Sequence, residues 1–131
     1  MAADLHKPGG KDKYAIDPRD TSTPKAMVEL LRMFYEKRDG LSPASHEFAM
    51  KTMLGTKTGP KRIVSMLPKG ATFAHKTGTM PGTFNDVGII TSPDGKHHIA
   101  IAIFVKESKS DEDEKVIAKT AKRIMNSLLP R

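Results

Sequence analysis

The segment Ala74-His75-Lys76-Thr77-Gly78-Thr79 concentrates the chemistry of this 131-residue chain. Lysine followed by threonine offers a fixed cation and a hydroxyl donor at one strand end. The glycine beside them has no Cβ, so a ligand can come close to the main chain. The amide that follows can point at an oxygen that gains negative charge during a reaction. Such a group of donors suits a small molecule carrying both a carboxylate and a carbonyl. Lys-Thr-Gly alone is a tripeptide of common residues, and a solvated lysine at an exposed strand end is the plainer account of it.

Other chemistries find less support. Cysteine is absent, which removes disulfides, thiolate metal sites and thiol nucleophiles together. His97 and His98 are adjacent on a predicted strand and point to opposite faces, so with His46 and His75 they make no expected metal site. The formal charge is +7, yet the lysines are dispersed and aromatics are only 5%, so no nucleic-acid surface is expected. No apolar run approaches the roughly 18 residues of a membrane span. The first ten residues lack the basic start and apolar stretch of a signal peptide. As written, the sequence is expected to be cytoplasmic, already processed or a fragment.

The elements that must position the lysine strand can be read from period and punctuation. Residues 1–20 are rich in proline and glycine and read as an arm or loop, leaving 21–131 as the folded part. Thr21-Ser22-Thr23-Pro24 is a helix start, a capping hydroxyl before proline at the first helical position. Met27, Leu30, Leu31 and Phe34 then recur at helical spacing, and Gly40 is expected to stop the helix. Ser42-Pro43 opens a second helix with Phe48, Ala49, Met53 and Leu54 inward, ending at Gly55, and a short third helix is expected over Pro60 to Met66.

The period then changes to that of strands, at 71–78, 84–92 and 97–105. In the last, Ile99, Ile101, Ile103 and Val105 take one face and Ala100, Ala102 and Phe104 the other, so both faces should be covered. Ser92-Pro93-Asp94-Gly95-Lys96 is a tight turn. Asp111 to Glu114 suits the first turn of a last helix, whose stripe is Val116, Ile117, Ala121, Ile124, Leu128 and Leu129. The expected class is α+β: three helices, a three-stranded antiparallel sheet and a C-terminal helix.

Five segments in this order resemble the class A serine β-lactamases, and behind them the D,D-peptidases. They are Asp17 to Met27, Leu41 to Ser45, Thr58 to Ile63 closing on Leu67-Pro68, the Lys-Thr-Gly strand, and Asn85-Asp86-Val87-Gly88 with the Ser92 turn. The resemblance covers residues 17–129 and implies the C-terminal half of that fold. It implies a β-lactam or related carboxylate as ligand, no cofactor and no metal, and a periplasmic or secreted parent. By resemblance Lys76 supplies positive potential and Thr77 donates to the substrate carboxylate. Gly78 permits close approach. Thr79 offers its amide to the oxyanion and its hydroxyl to the carboxylate. Arg62 falls where some members place a guanidinium that supports the carboxylate and the Lys-Thr-Gly threonine, Thr77. The turn Thr79 to Phe84 reads about one residue shorter than in common members.

The family's Ser-x-x-Lys, Ser-Asp-Asn and Ω-loop glutamate have no counterpart. Ser22-Thr23-Pro24-Lys25 matches Ser-x-x-Lys literally, but with eight Ser and sixteen Lys a chance match is expected, and Ser22 or Thr23 is better explained as a cap. The resemblance implies that the Ile99–Val105 strand keeps an open edge, so the chain should self-associate or need a complementary half. The alternatives are a non-catalytic remnant or binding module, and part of a D,D-peptidase.

Overall fold

A computed structural model describes residues 18–129 of the chain. The reading of residues 1–17 as an arm lies outside the described residues, and Pro18–Asp20 form a single 3-10 turn. Helix α1 spans Pro24–Tyr35 and α2 Pro43–Leu54. Both start as the sequence implies, with proline at the first turn behind a hydroxyl cap. Thr23 accepts from the Ala26 amide at 3.1 Å and Ser42 from the Ser45 amide at 3.2 Å.

A sheet follows, with strands β1 Thr72–Met80, β2 Thr83–Thr91 and β3 His98–Val105 in the order β1-β2-β3, both pairs antiparallel. Helix α3, Glu114–Leu128, closes the chain behind a 3-10 turn at Asp111–Asp113. The architecture is α+β as expected.

Sheet alternation divides the core in two. Phe73, Phe84, Ile90, Ile99, Ile101 and Ile103 meet Ile63 and the α3 residues Ile117, Ala121 and Met125. On the opposite face Val87, Ile89, Ala100, Ala102 and Phe104 meet Met27, Leu31 and Phe34 of α1 and Met50 and Met53 of α2. Both faces of β3 are therefore covered, as its doubly apolar pattern implies.

Several expectations are corrected. Helix α1 ends at Tyr35 and not at Gly40, because Lys37 takes a left-handed φ of 56° and breaks the helical path. The third helix is a 3-10 turn at Ile63–Met66 only. Arg62 before it is non-helical, the Ile63 amide is taken by a carboxylate, and Pro68 holds Leu67 extended after it. Strand β1 runs two residues past Gly78, because its pairing with β2 continues to Met80 opposite Thr83. Leu30, Leu54, Val116 and Leu128 point outward, and Phe48 is 73% exposed. Of the expected inward residues of α2, Met53 does pack on the core, and His46 and Met50 join it in place of Phe48 and Leu54. Its apolar residues lie on more than one side, so the sheet and not the sequence pattern selects the face.

Candidate functional site

The site is built on β1, which forms one edge of the sheet. Alternation along the strand puts Phe73, His75, Thr77 and Thr79 on the α3 side and Ala74, Lys76 and Gly78 on the other. Thr77 and Thr79 are thus brought together, two residues apart on one face. Lys76 is not beside them as a side chain: it is exposed, and its ammonium curls back over the strand to donate to the Thr77 carbonyl.

Arg62 reaches the strand from the loop between α2 and the 3-10 turn. It is 3% exposed, and its guanidinium donates on every side. Nε meets Glu114 at 3.1 Å, Nη1 the carbonyls of Gly78 at 3.1 Å and Asn85 at 2.9 Å, and Nη2 the Thr79 hydroxyl at 2.6 Å. Its plane also lies 5.4 Å from the Phe84 ring centre. A planar fork of five donors suits this position, and an ammonium could not span it. The guanidinium was expected on the Lys-Thr-Gly threonine, Thr77, but its threonine contact falls on Thr79 instead, while Thr77 is met by Thr58. The other donors are spent on α3 and on the two strands, so Arg62 clamps the β1–β2 hairpin to α3.

Thr77, also buried, meets a second hydroxyl: Thr58 Oγ1 lies 2.5 Å from Thr77 Oγ1. The loop carrying Thr58 and Arg62 is tied down further. Thr56 donates to the His75 carbonyl at 2.7 Å. Gly59 has φ +66°, and a Cβ there would stand 2.9 Å from Thr77 Cγ2 and 3.0 Å from Arg62 Cδ. The carboxylate of Asp86, fully buried, accepts from the Ile63 amide at 3.3 Å and pairs with His75 Nδ1 at 2.8 Å. The His75 ring stacks on Phe73 at 4.3 Å between centres.

Three residues here escaped sequence reasoning: Thr58, Asp86 and Glu114. Asp86 had a signal, because a carboxylate between Phe84 and the apolar run Val87 to Ile90 is expected to be buried with a partner. Glu114 and Thr58 had none, since Thr58 meets Thr77 and Glu114 meets Arg62 across long gaps in sequence. Asn85 Oδ1 is buried without a hydrogen-bond partner, behind Gly78, where a Cβ would stand 3.5 Å from the Asn85 side chain.

The other candidates lie apart. Ser22 is exposed, and its hydroxyl turns to the neighbouring Thr23 carbonyl at 3.5 Å while Thr23 does the capping. His46 stacks on Phe34 and bonds its carbonyl at 2.7 Å. His98 lies on Thr91 and Tyr35. Each of these histidines has its own structural contact. An open groove at the start of α1, lined by Thr23, Pro24, Lys25, Ala26, Val28 and Glu29, holds none of the strand residues. Among the described residues no helix is long and apolar enough to cross a membrane.

Comparison with known proteins gives one consistent answer. The family model described as Beta-lactamase enzyme family matches residues 4–128, beginning upstream of Asp17 where the motif resemblance starts. The β-lactamase VEB-1 of Pseudomonas aeruginosa is 42% identical over 117 residues, 82% of this chain and 39% of that protein. The extended-spectrum β-lactamase PER-1 of the same organism is 40% identical over 105 residues, 74% of this chain and 33% of its own length. Among solved structures, the TLA-3 extended-spectrum β-lactamase superposes with a TM-score of 0.76 at 40% identity, covering 95% of this chain and 49% of that one. The TLA-1 enzyme with the S70G change gives 0.74 at 43% identity, covering 83% and 42%. The chain therefore spans a third to a half of the length of these relatives.

Proposed function

The chain belongs to the class A serine β-lactamase family, and from that premise we propose that it supplies the Lys-Thr-Gly side of a β-lactam site. One observation carries the reading. Two hydroxyls on an open edge strand, Thr77 and Thr79, are each backed by another polar side chain, Thr58 and Arg62 respectively. An arginine cannot accept, so Thr79 Oγ1 must accept from it and keeps its own proton for a ligand. The substrate carboxylate docks on these hydroxyls, with Lys76 adding positive potential at the strand edge. Gly78 allows the approach, and the Thr79 amide faces the developing oxyanion. Arg62 is a positioning residue acting through Thr79.

Hydrolysis in this family acylates a serine and then releases the ester to water. No residue of this sequence stands in the Ser-x-x-Lys, Ser-Asp-Asn or Ω-loop glutamate positions, so the chain alone forms no acyl-enzyme. The reacting groups come from the part of the domain that the relatives possess and this sequence does not span. The parent reaction takes place outside the cytoplasm, in the periplasm or the medium.

Intact mass of the purified chain after incubation with benzylpenicillin tests this directly. The expected spectrum is unchanged. Addition of a separately produced N-terminal half from a class A relative is expected to restore hydrolysis, and restoration should fail with Thr79→Val and Lys76→Ala. A stoichiometric adduct on the chain alone, lost in Ser22→Ala, would overturn the assignment of Ser22 to the helix start. Binding without restored hydrolysis would favour a binding module.

A further inference from the structure

We propose that Thr58 is a positioning residue for the substrate carboxylate, setting the direction of the Thr77 hydroxyl proton; this rests on the reading of the Lys-Thr-Gly strand above. The two oxygens are 2.5 Å apart, and each hydroxyl has one proton and two lone pairs, so only one of them donates. If Thr77 donates, its own lone pairs face the ligand and repel an anion. If Thr58 donates, the Thr77 proton is free for the ligand.

The surroundings favour the second arrangement once a carboxylate arrives. A hydrogen bond to an ionised acceptor is shorter and roughly twice as strong as one between neutral groups. The carboxylate therefore takes the Thr77 proton, and the Thr77 oxygen in turn accepts from Thr58. Thr58 is exposed, so water serves its lone pairs, whereas Thr77 is buried and depends on Thr58. The same logic operates at Thr79, where the donor behind the hydroxyl is Arg62. Two hydroxyls on one strand face are thus each supplied with a proton from the loop behind them. That loop is held in register by Gly59, which has no room for a Cβ against Thr77, and by the bond from Thr56 to the His75 carbonyl. Lys76, on the opposite face of the strand, contributes charge and orients neither hydroxyl.

The test is a titration of the full chain, with 13C-labelled threonine methyls, by benzylpenicillin and by its methyl ester. The expected result is a saturable shift of the Thr77 and Thr79 methyl signals with the acid and none with the ester. Thr58→Val should weaken binding of the acid about fivefold or more, and Thr58→Ser should stay within about twofold of wild type. A merely structural role would not be restored by serine and would not depend on the ligand's charge. If valine disturbs the strand, seen as shifted methyls before ligand is added, Thr58→Ala carries the comparison. Equal affinity of wild type and the Thr58→Val chain for the acid overturns this proposal and leaves the carboxylate reading standing. A wild-type chain with no shift overturns both.

Discussion

Gly88 marks the tightest point of the scaffold under the site. A Cβ there would stand 2.2 Å from the Ala74 carbonyl oxygen and 2.8 Å from His75 Cα, both main-chain atoms that cannot swing away. Gly88→Ala must push β1 off β2 opposite His75, and is expected to cost about 3 kcal/mol in urea unfolding. Arg62 is critical for a different reason, its charge. Removing it leaves the Glu114 carboxylate, 19% exposed, without its partner, along with the carbonyls of Gly78 and Asn85. Arg62→Ala is expected to destabilise by about 3 kcal/mol or more, and Arg62→Lys to recover only part of this, because an ammonium lacks the fork. Comparison of the two urea midpoints checks it. A midpoint for Arg62→Lys equal to wild type would show that charge and not geometry is what the site needs.

Among the elements, α1 is fixed at its two ends by local side-chain contacts. Its start depends on one hydroxyl, and Thr23→Ala should cost about 1 kcal/mol, read from the same unfolding curve. Ser22→Ala should leave the curve unchanged, which distinguishes the capping residue from its neighbour. At the other end Arg32 and then Arg38 hydrogen-bond the Glu36 carboxylate and hold its pKa below the ordinary 4.5. A carboxyl whose folded pKa is depressed adds stability above its unfolded pKa, and that stability is lost as pH falls through the folded value. The difference in thermal midpoint between wild type and Glu36→Gln should therefore be greatest above pH 4.5 and close at lower pH. These groups lie at the surface, so salt should shrink the difference as well.

For the whole molecule the decisive feature is what lies uncovered. Leu30 and Tyr35 of α1, Leu41, and Phe48 and Leu54 of α2 are all exposed. Among the described residues the far edge of β3 pairs with no strand. An eight-residue strand with open N–H and C=O groups beside apolar helix surface invites association. Sedimentation of the purified chain is expected to give a mass above 14.4 kDa that rises with concentration. Phe48→Glu should lower it. A monomer at every concentration would show that neither surface seeks a partner.

Period and punctuation alone determined the order of the elements, both helix starts, the double burial of β3 and the strand that carries the site, because proline, capping hydroxyls and alternation act within a few residues of one another. The weight placed on Lys76-Thr77-Gly78 came instead from the family resemblance. Tertiary structure decided the rest. It turned Phe48 outward although its spacing fits the helix face, since the sheet and not the helix chooses what is buried. It ended α1 at Tyr35 and reduced Pro60 to Met66 to a 3-10 turn around the Asp86 carboxylate. Above all it brought Thr58 and Arg62 to the strand across 19 and 17 residues of sequence, to Thr77 and Thr79 respectively, and Glu114 to Arg62 across 52. Hydrogen bonds between such distant residues leave no trace in local pattern, because their geometry exists only once the sheet and α3 have packed together.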